Sequence, residues 1–183
     1  AIMDGRDTEP TSGIEFLRTL VDDMQQTGVG RIGTVTGRYY AMDRDHRWER
    51  TERAWNAIVH GIGAPASDPA SAIQQSYEQG VTDEFIEPVV IEGVDSRIRD
   101  GDAVIFVNFR ADRMRQLVSA LAVDEHKRFE HASKPSNLSI TTMTEYEADF
   151  PVAVAFPPQN VEQPLASVVS DAGLAQFHLA ETE

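Results

Sequence analysis

Two apolar patterns alternate along the chain. Ile14, Leu17, Leu20, Val21 and Met24 recur at steps of three and four residues, the period of one helix face. Ser12-Gly13-Ile14-Glu15 precedes them in the form of a capping box, and Gly28 is a suitable terminator, so the spacing predicts a helix between them. A second helix is predicted from about 47 to 60, capped by Asp43 or Asp45, with Trp48, Trp55, Ile58 and Val59 on its buried stripe. The run 61–65, with two glycines and a proline, ends it. Ser67 or Asp68 followed by Pro69 opens a third helix reaching about Gln79, because proline suits the first helical turn. A fourth follows 108–110 with Met114, Leu117, Val118 and Leu121 inward, and a fifth covers 164–172 ahead of Gly173.

Shorter apolar runs between these helices read as strands over 31–36, 85–91, 103–107, 139–143 and 152–156. Pro88 implies an edge or a bend in the second of them, and Pro151 and Pro157 make the last a short arm or edge strand. The run 103–107 is almost continuously apolar, the mark of a central strand covered on both faces. Residues 1–3 read as the tail of a strand and 177–180 as the start of one, while 93–101 is polar and 123–137 is charged and loop-like. Strands alternating with helices predict one α/β domain, a layered sheet with helices on both faces, with short linker arms near 1–3 and 174–183.

The polar residues that interrupt this pattern are concentrated in three segments: DGRD at 4–7, GRYYAMDRDHRW at 37–48 and NFRADR at 108–113. Each combines arginine with aspartate, and each stands where a predicted strand gives way to a helix or turn, the place where α/β folds gather ligands. A guanidinium is planar and donates two parallel hydrogen bonds, which suits phosphate and carboxylate. Arg6, Arg38, Arg44, Arg110 and Arg113 are therefore expected to converge on a small, doubly anionic ligand. Arg110 and Arg113 stand three apart, on one face of a helix start. Spacing alone equally allows a surface turn for DGRD, a helix-bracing Arg–Asp network for 37–48 with Tyr39 and Tyr40 in the core, and an exposed pair with Asp112. Arg47, Arg50 and Arg53 read as a solvated helix face and stay outside the expected site.

Composition narrows the ligand. The 183 residues carry a formal net charge of −14, which opposes nucleic acid, a ligand bound through phosphate neutralisation on a basic surface. Of sixteen basic residues only Lys127 and Lys134 are lysines, so positive charge is concentrated in arginines, as a pocket for a small anion requires. The absence of cysteine excludes disulfides and thiolate zinc sites. No apolar run approaches a membrane span, and a cytoplasmic protein is expected. His46, His60, His126, His131 and His178 show no metal-type spacing, and no G-x-S-x-G or Walker-type loop is present.

DGRD, GRYYAMDRDHRWER at 37–50 and VNFRADRMRQ at 107–116 resemble signature segments of the cofactor-independent phosphoglycerate mutases, and DEFIEPVVI at 83–91, MTEYEAD at 143–149 and the final AETE do so in the same order. The resemblance implies an isomerase of glycolysis and gluconeogenesis that interconverts 3-phosphoglycerate and 2-phosphoglycerate through a phosphoserine. It implies that Arg6, Asp7, Arg38, Arg44, Arg110 and Arg113 bind the substrate's phosphate and carboxylate, with Asp7 also handling hydroxyl protons. The serine, two manganese or magnesium ions and an essential histidine belong to an alkaline-phosphatase-like domain with no counterpart in these residues. The chain is thus expected to be the inserted, substrate-binding phosphotransferase domain of a longer two-domain, monomeric enzyme, binding no metal itself. Its two ends are then expected to lie close together as a hinge. A stand-alone anion-binding or regulatory module without catalysis is the alternative.

Overall fold

The computed structural model describes residues 1–123 and 134–180. The first sheet has four strands, β1 (Ile2–Met3), β2 (Thr34–Gly37), β3 (Ala64–Ala66) and β4 (Val89–Ile91), in the order β1-β2-β4-β3. β1 and β2 are parallel, with Ile2 opposite Thr36 and Met3 opposite Gly37, so the segments that leave them start side by side. β4 runs antiparallel to β2 and parallel to β3. The second sheet is wholly parallel: β5 (Ala103–Phe106), β6 (Ser139–Thr142) and β7 (Ala153–Val154), in that order.

Six α-helices connect and cover these strands among the described residues: α1 (Gly13–Thr27), α2 (Arg38–Ala41), α3 (Trp48–His60), α4 (Pro69–Glu78), α5 (Arg115–Ala122) and α6 (Leu165–Asp171). Their ends follow local chemistry. Gly28 and Gly61 close α1 and α3 in the left-handed conformation, and Asp68 caps α4 by accepting from the Ser71 N–H at 2.9 Å. Met3, Ile14, Leu17, Val35, Ile73 and Ile86 form a core between the first sheet, α1 and α4. Trp55, Met114, Leu117, Val118, Leu121, Ile140 and Tyr146 form another between α3, α5 and the second sheet. Each such large side chain removed from water contributes about 1.5–3 kcal/mol.

The α/β class and all five predicted helices are present, but one layered sheet becomes two small ones. The capping box does not form. The Ser12 hydroxyl donates to Glu9 O, and the buried Asp83 carboxylate accepts the Gly13 N–H at 2.8 Å in its place. The strand expected over 85–91 is a single 3-10 turn, Asp83–Phe85, followed by β4, and its partner β3 falls in the stretch read as a helix stop. The run 103–107 is an edge strand rather than a central one. Val104 and Phe106 face the core, whereas Ile105 and Val107 are 62% and 76% exposed. An unbroken apolar run does not say whether both faces of a strand are covered, and here no layer covers the second face among the described residues. Residues 177–180 form no strand, and the expected loop at 123–137 lies mostly outside the described residues, as does Glu183 and with it the expected nearness of the ends.

The two faces of β5 make different demands. Phe106→Ala should cost about 3–5 kcal/mol in urea unfolding, the usual loss for a buried phenylalanine, and Val107→Ala should change stability by less than about 0.5 kcal/mol, as exposed positions do. Equal losses at the two positions would mean that the outer face is covered.

Candidate functional site

The parallel pairing of β1 and β2 brings the first two arginine segments together. Asp4 begins the turn after Met3, and its Oδ1 accepts from the backbone N–H groups of Arg6 at 3.3 Å and Asp7 at 3.2 Å. Arg38 opens α2 directly after β2, and its side chain is only 4% exposed. Its Nη1 donates to Asp4 Oδ1 and, at 2.8 Å, to Asp7 Oδ2. Burial lowers the proton affinity of this guanidinium, but the bonds and charges of Asp7 and Asp4 outweigh it and the net shift is upward. The Asp4 carboxyl is also pushed up by burial, and Arg38 with the two backbone donors brings it below its ordinary value.

Two glycines let a third element approach. Gly5, at φ 65°, and Gly37 both lie against the Asp83–Glu84 backbone. A Cβ on Gly5 would stand 2.8 Å from Glu84 N, and one on Gly37 2.3 Å from Glu84 O, so neither position has room for a side chain. Gly37 N–H donates to Ile86 O at 2.8 Å and Asp83 N–H to Pro10 O at 2.9 Å. DEFIEPVVI is therefore the floor beneath the first two arginine segments. Arg6 is turned toward this floor, with Nη1 3.6 Å from Glu84 Oε1 and its side chain 63% exposed.

The third segment comes from the second sheet. Its backbone is braced by MTEYEAD: the buried Tyr146 hydroxyl donates to Asn108 O, and Thr144 Oγ1 donates to Phe109 O at 3.0 Å. Arg110 and the 3-10 turn that follows it, Ala111–Arg113, then present three charged side chains. Arg110 binds Asp112 with both arms of its fork, Nε to Oδ1 at 2.8 Å and Nη2 to Oδ2 at 3.3 Å. Arg44, from the second segment, donates to Asp112 Oδ2 at 2.7 Å. Burial pushes the Asp112 carboxyl up, yet its bonds and charge pairing with Arg110 and Arg44 bring it down to about 2.

Arg113 lies deeper. Its Nη1 donates to Met42 O at 3.1 Å, and its buried Nε has no hydrogen-bond partner among the described residues. Burial depresses its proton affinity, and so do the charges of Arg38, Arg44 and Arg110, with Asp112 opposing. Arg110 in turn feels the charges of Asp7 and Arg38 beside its main partner Asp112. Four of the five expected arginines, together with Asp7, thus share one electrostatic neighbourhood, and Arg6 stands at its border with Glu84.

A buried polar network locks the second segment to the third. Asp43 is 4% exposed, and its Oδ2 accepts from the N–H groups of Asp45 at 3.1 Å and Arg47 at 2.9 Å and from Gln116 Nε2 at 3.0 Å. Gln116 Nε2 also donates to Thr51 Oγ1 at 2.9 Å, and Gln116 Oε1 accepts from the His46 N–H at 2.7 Å. Asp43 thereby organises the start of α3 without being its cap residue, which is Arg47. Tyr39 and Tyr40 pack edge to face, with the Arg50 guanidinium 3.7 Å from the Tyr39 ring centre and that of Arg53 4.7 Å from the Tyr40 ring centre. Arg50, 20% exposed and 3.5 Å from Asp43, is a bracing residue and not part of a solvated face. Asp4 and Gln116 were not singled out by spacing, although Asp4 stands inside the first arginine segment and Gln116 just past the third, and Asp112 was weighed only as the partner of an exposed pair.

The chain is similar to known proteins over most of its length. The family model described as "BPG-independent PGAM N-terminus (iPGM_N)" matches residues 1–148. The chain belongs to this family. It is 55% identical over 188 aligned residues to the 2,3-bisphosphoglycerate-independent phosphoglycerate mutase of Thermomicrobium roseum, covering 100% of this chain and 36% of the relative. It is 49% identical to the enzyme of that name from Symbiobacterium thermophilum, again over 100% and 36% of the two chains. A crystal structure of Leishmania mexicana phosphoglycerate mutase at low cobalt concentration superposes with a TM-score of 0.78 and 28% identity, covering 93% of this chain and 33% of that one. The chain thus spans about a third of the length of these relatives, and the family membership accounts for the long, ordered segments read from the sequence.

The depressed Asp112 carboxyl has a consequence for stability. Its folded value of about 2 lies below the ordinary aspartate value of about 3.9, so its contribution is complete above that value and lost as pH falls toward about 2. Asp112→Asn is expected to lower the melting temperature at pH 7, with the gap to the parent chain closing between about pH 4 and pH 2. A gap that persists at pH 2 would show that the carboxylate charge is not what the site uses.

Proposed function

We propose that the chain is the substrate-binding, phosphotransferase part of a phosphoglycerate mutase interconverting 3-phosphoglycerate and 2-phosphoglycerate, and that its arginines hold the substrate's phosphate and carboxylate. The relatives are named phosphoglycerate mutases, which supports the reaction class. The arginine reading rests above all on Arg113, whose buried, unpartnered Nε stands among the charges of Arg38, Arg44 and Arg110. An anion with two charged groups relieves both defects, supplying an acceptor for the Nε and countercharge for the cluster.

The geometry divides the work. Arg113, Arg44 and Arg110 are the proposed direct ligands, since the last two keep 46% and 54% of their side chains exposed. Arg38 is engaged on Nη1 by two carboxylates and contributes field and position from below. Asp7 keeps 64% of its side chain exposed while Arg38 holds one oxygen, leaving the other to accept a hydrogen bond from a substrate hydroxyl and take its proton. Arg6 would swing from Glu84 to the ligand, a small change for an exposed pair 3.6 Å apart.

Phosphoryl transfer needs groups beyond these. Among the described residues no three histidine, aspartate or glutamate side chains are placed to share a metal ion, so the two manganese or magnesium ions the family resemblance implies do not fit the residues present here. The proposal assigns them, with the phosphorylated serine, to an alkaline-phosphatase-like domain of the longer polypeptide. The proposal further takes the longer enzyme as monomeric and cytoplasmic; no helix among the described residues is long and apolar enough to cross a membrane.

Two measurements test this reading. Arg113→Lys keeps the charge but replaces a fork by a point donor, and should weaken 3-phosphoglycerate binding in calorimetric titration by roughly 1.5–3 kcal/mol. Unchanged affinity would make Arg113 structural. The 183-residue chain should show no turnover of 3-phosphoglycerate with or without manganese; turnover by rigorously purified chain would place the whole reaction within it.

A further inference from the structure

Resting on the anion-binding reading above, we propose that Asp112 is a positioning residue: a built-in counter-ion that holds Arg44 and Arg110 side by side before any ligand arrives. It is one carboxylate, taking hydrogen bonds from two guanidinium groups that come from different sheets and are separated by 66 positions, 110 minus 44. Without a shared anion these two cations would repel each other and, being about half exposed, would turn toward water.

The same geometry fits a second role, in which Asp112 sits in the ligand's own place and must be displaced. Depth decides between them. The Asp112 side chain is 28% exposed, against 46% for Arg44 and 54% for Arg110. The carboxylate is therefore the least exposed of the three, and the Arg44 and Arg110 side chains keep about half of their surface open to solvent while bound to it. The backbone on either side of Arg110 is itself held. Asp112 lies in the 3-10 turn Ala111–Arg113, and the Arg110 N–H is held by Asn108 Oδ1 at 2.9 Å. The main chain that carries Asp112 is thus the same short turn that carries Arg113. Holding donors in place before binding spares the ligand the cost of ordering them, which raises affinity without adding a contact.

The test compares the 183-residue chain with D112N and D112E, using 3-phosphoglycerate and inorganic phosphate as probes and NMR of the arginine Nε–H groups in the absence of either. In the parent chain the free-state Arg110 Nε–H should be sharp and slowly exchanging, unlike that of exposed Arg6. In D112N it should broaden, with amide signals elsewhere unchanged, and 3-phosphoglycerate should bind about tenfold more weakly, D112E recovering part of the loss. Equal or tighter binding by D112N would overturn the inference and assign Asp112 to the ligand's place. A parent chain with an unprotected Arg110 Nε–H would overturn it without any variant, should D112N fail to fold. If the parent binds neither probe, the anion-binding reading itself fails, and this inference with it. If Arg113→Lys weakens binding while D112N does not, the anion-binding reading stands and the role of Asp112 alone is refuted.

Discussion

The assembly of like charges is the constraint on which the rest of this structure depends. Two guanidinium groups about 6 Å apart repel by about 3 kcal/mol at an effective dielectric near 20, and four such groups here share one neighbourhood. The chain meets that cost with carboxylates placed beneath or beside each arginine: Asp4 and Asp7 for Arg38, and Asp112 for Arg44 and Arg110. Arg113 is the exception, with a backbone carbonyl and Asp112's charge as its relief. The repulsion is thus left concentrated on a guanidinium whose buried Nε lacks a partner among the described residues, which is where an incoming anion gains most.

Holding the charges together requires stiff supports, and these come largely from residues outside the arginine cluster. The first two segments leave adjacent parallel strands and lie on the Asp83–Glu84 backbone, an approach that Gly5 and Gly37 make possible. The third leaves a different sheet and is fixed by Tyr146 and Thr144. Nothing in the strand pairing joins the second segment to the third. That join is made by Arg44 on Asp112, by Arg113 on Met42 O and by Gln116, buried at 5% exposure and bonded to Asp43, Thr51 and the His46 N–H. A buried polar network of this kind is favourable only when each member is satisfied, so these hydrogen bonds add a defined geometry to the apolar packing of α3 against α5 and the second sheet.

How much of this was legible in the sequence follows from which signals are local. Helix periodicity placed Leu17, Trp55, Leu117, Val118 and Leu121 correctly in the core, because a helix face is fixed by its own spacing. The Arg/Asp segments were legible as candidates by their composition, although spacing alone left a structural role open for each. Their partners were not, since spacing cannot show that Arg38 reaches back to Asp4 across 34 positions or that Arg44 meets Asp112 across 68. Val107 misled for the opposite reason: its apolar neighbours are real, but whether a strand's second face is covered depends on elements elsewhere in the chain.

The arrangement also explains why arginine, and hardly any lysine, fills these segments. Arg38 binds Asp4 and Asp7 through Nη1 alone, Arg110 engages both oxygens of Asp112 through Nε and Nη2, and Arg44 reaches the same carboxylate through Nη1. Each guanidinium thereby spends one edge on an internal carboxylate and keeps further donors at fixed angles for something else. An ammonium group has no edges to divide: its three donors rotate together about one carbon–nitrogen bond, and a lysine satisfied by an aspartate offers no second direction of known orientation. In a cluster whose internal counter-ions must remain in place while a ligand is bound, only a side chain that can serve two anions at once preserves both the assembly and its open side.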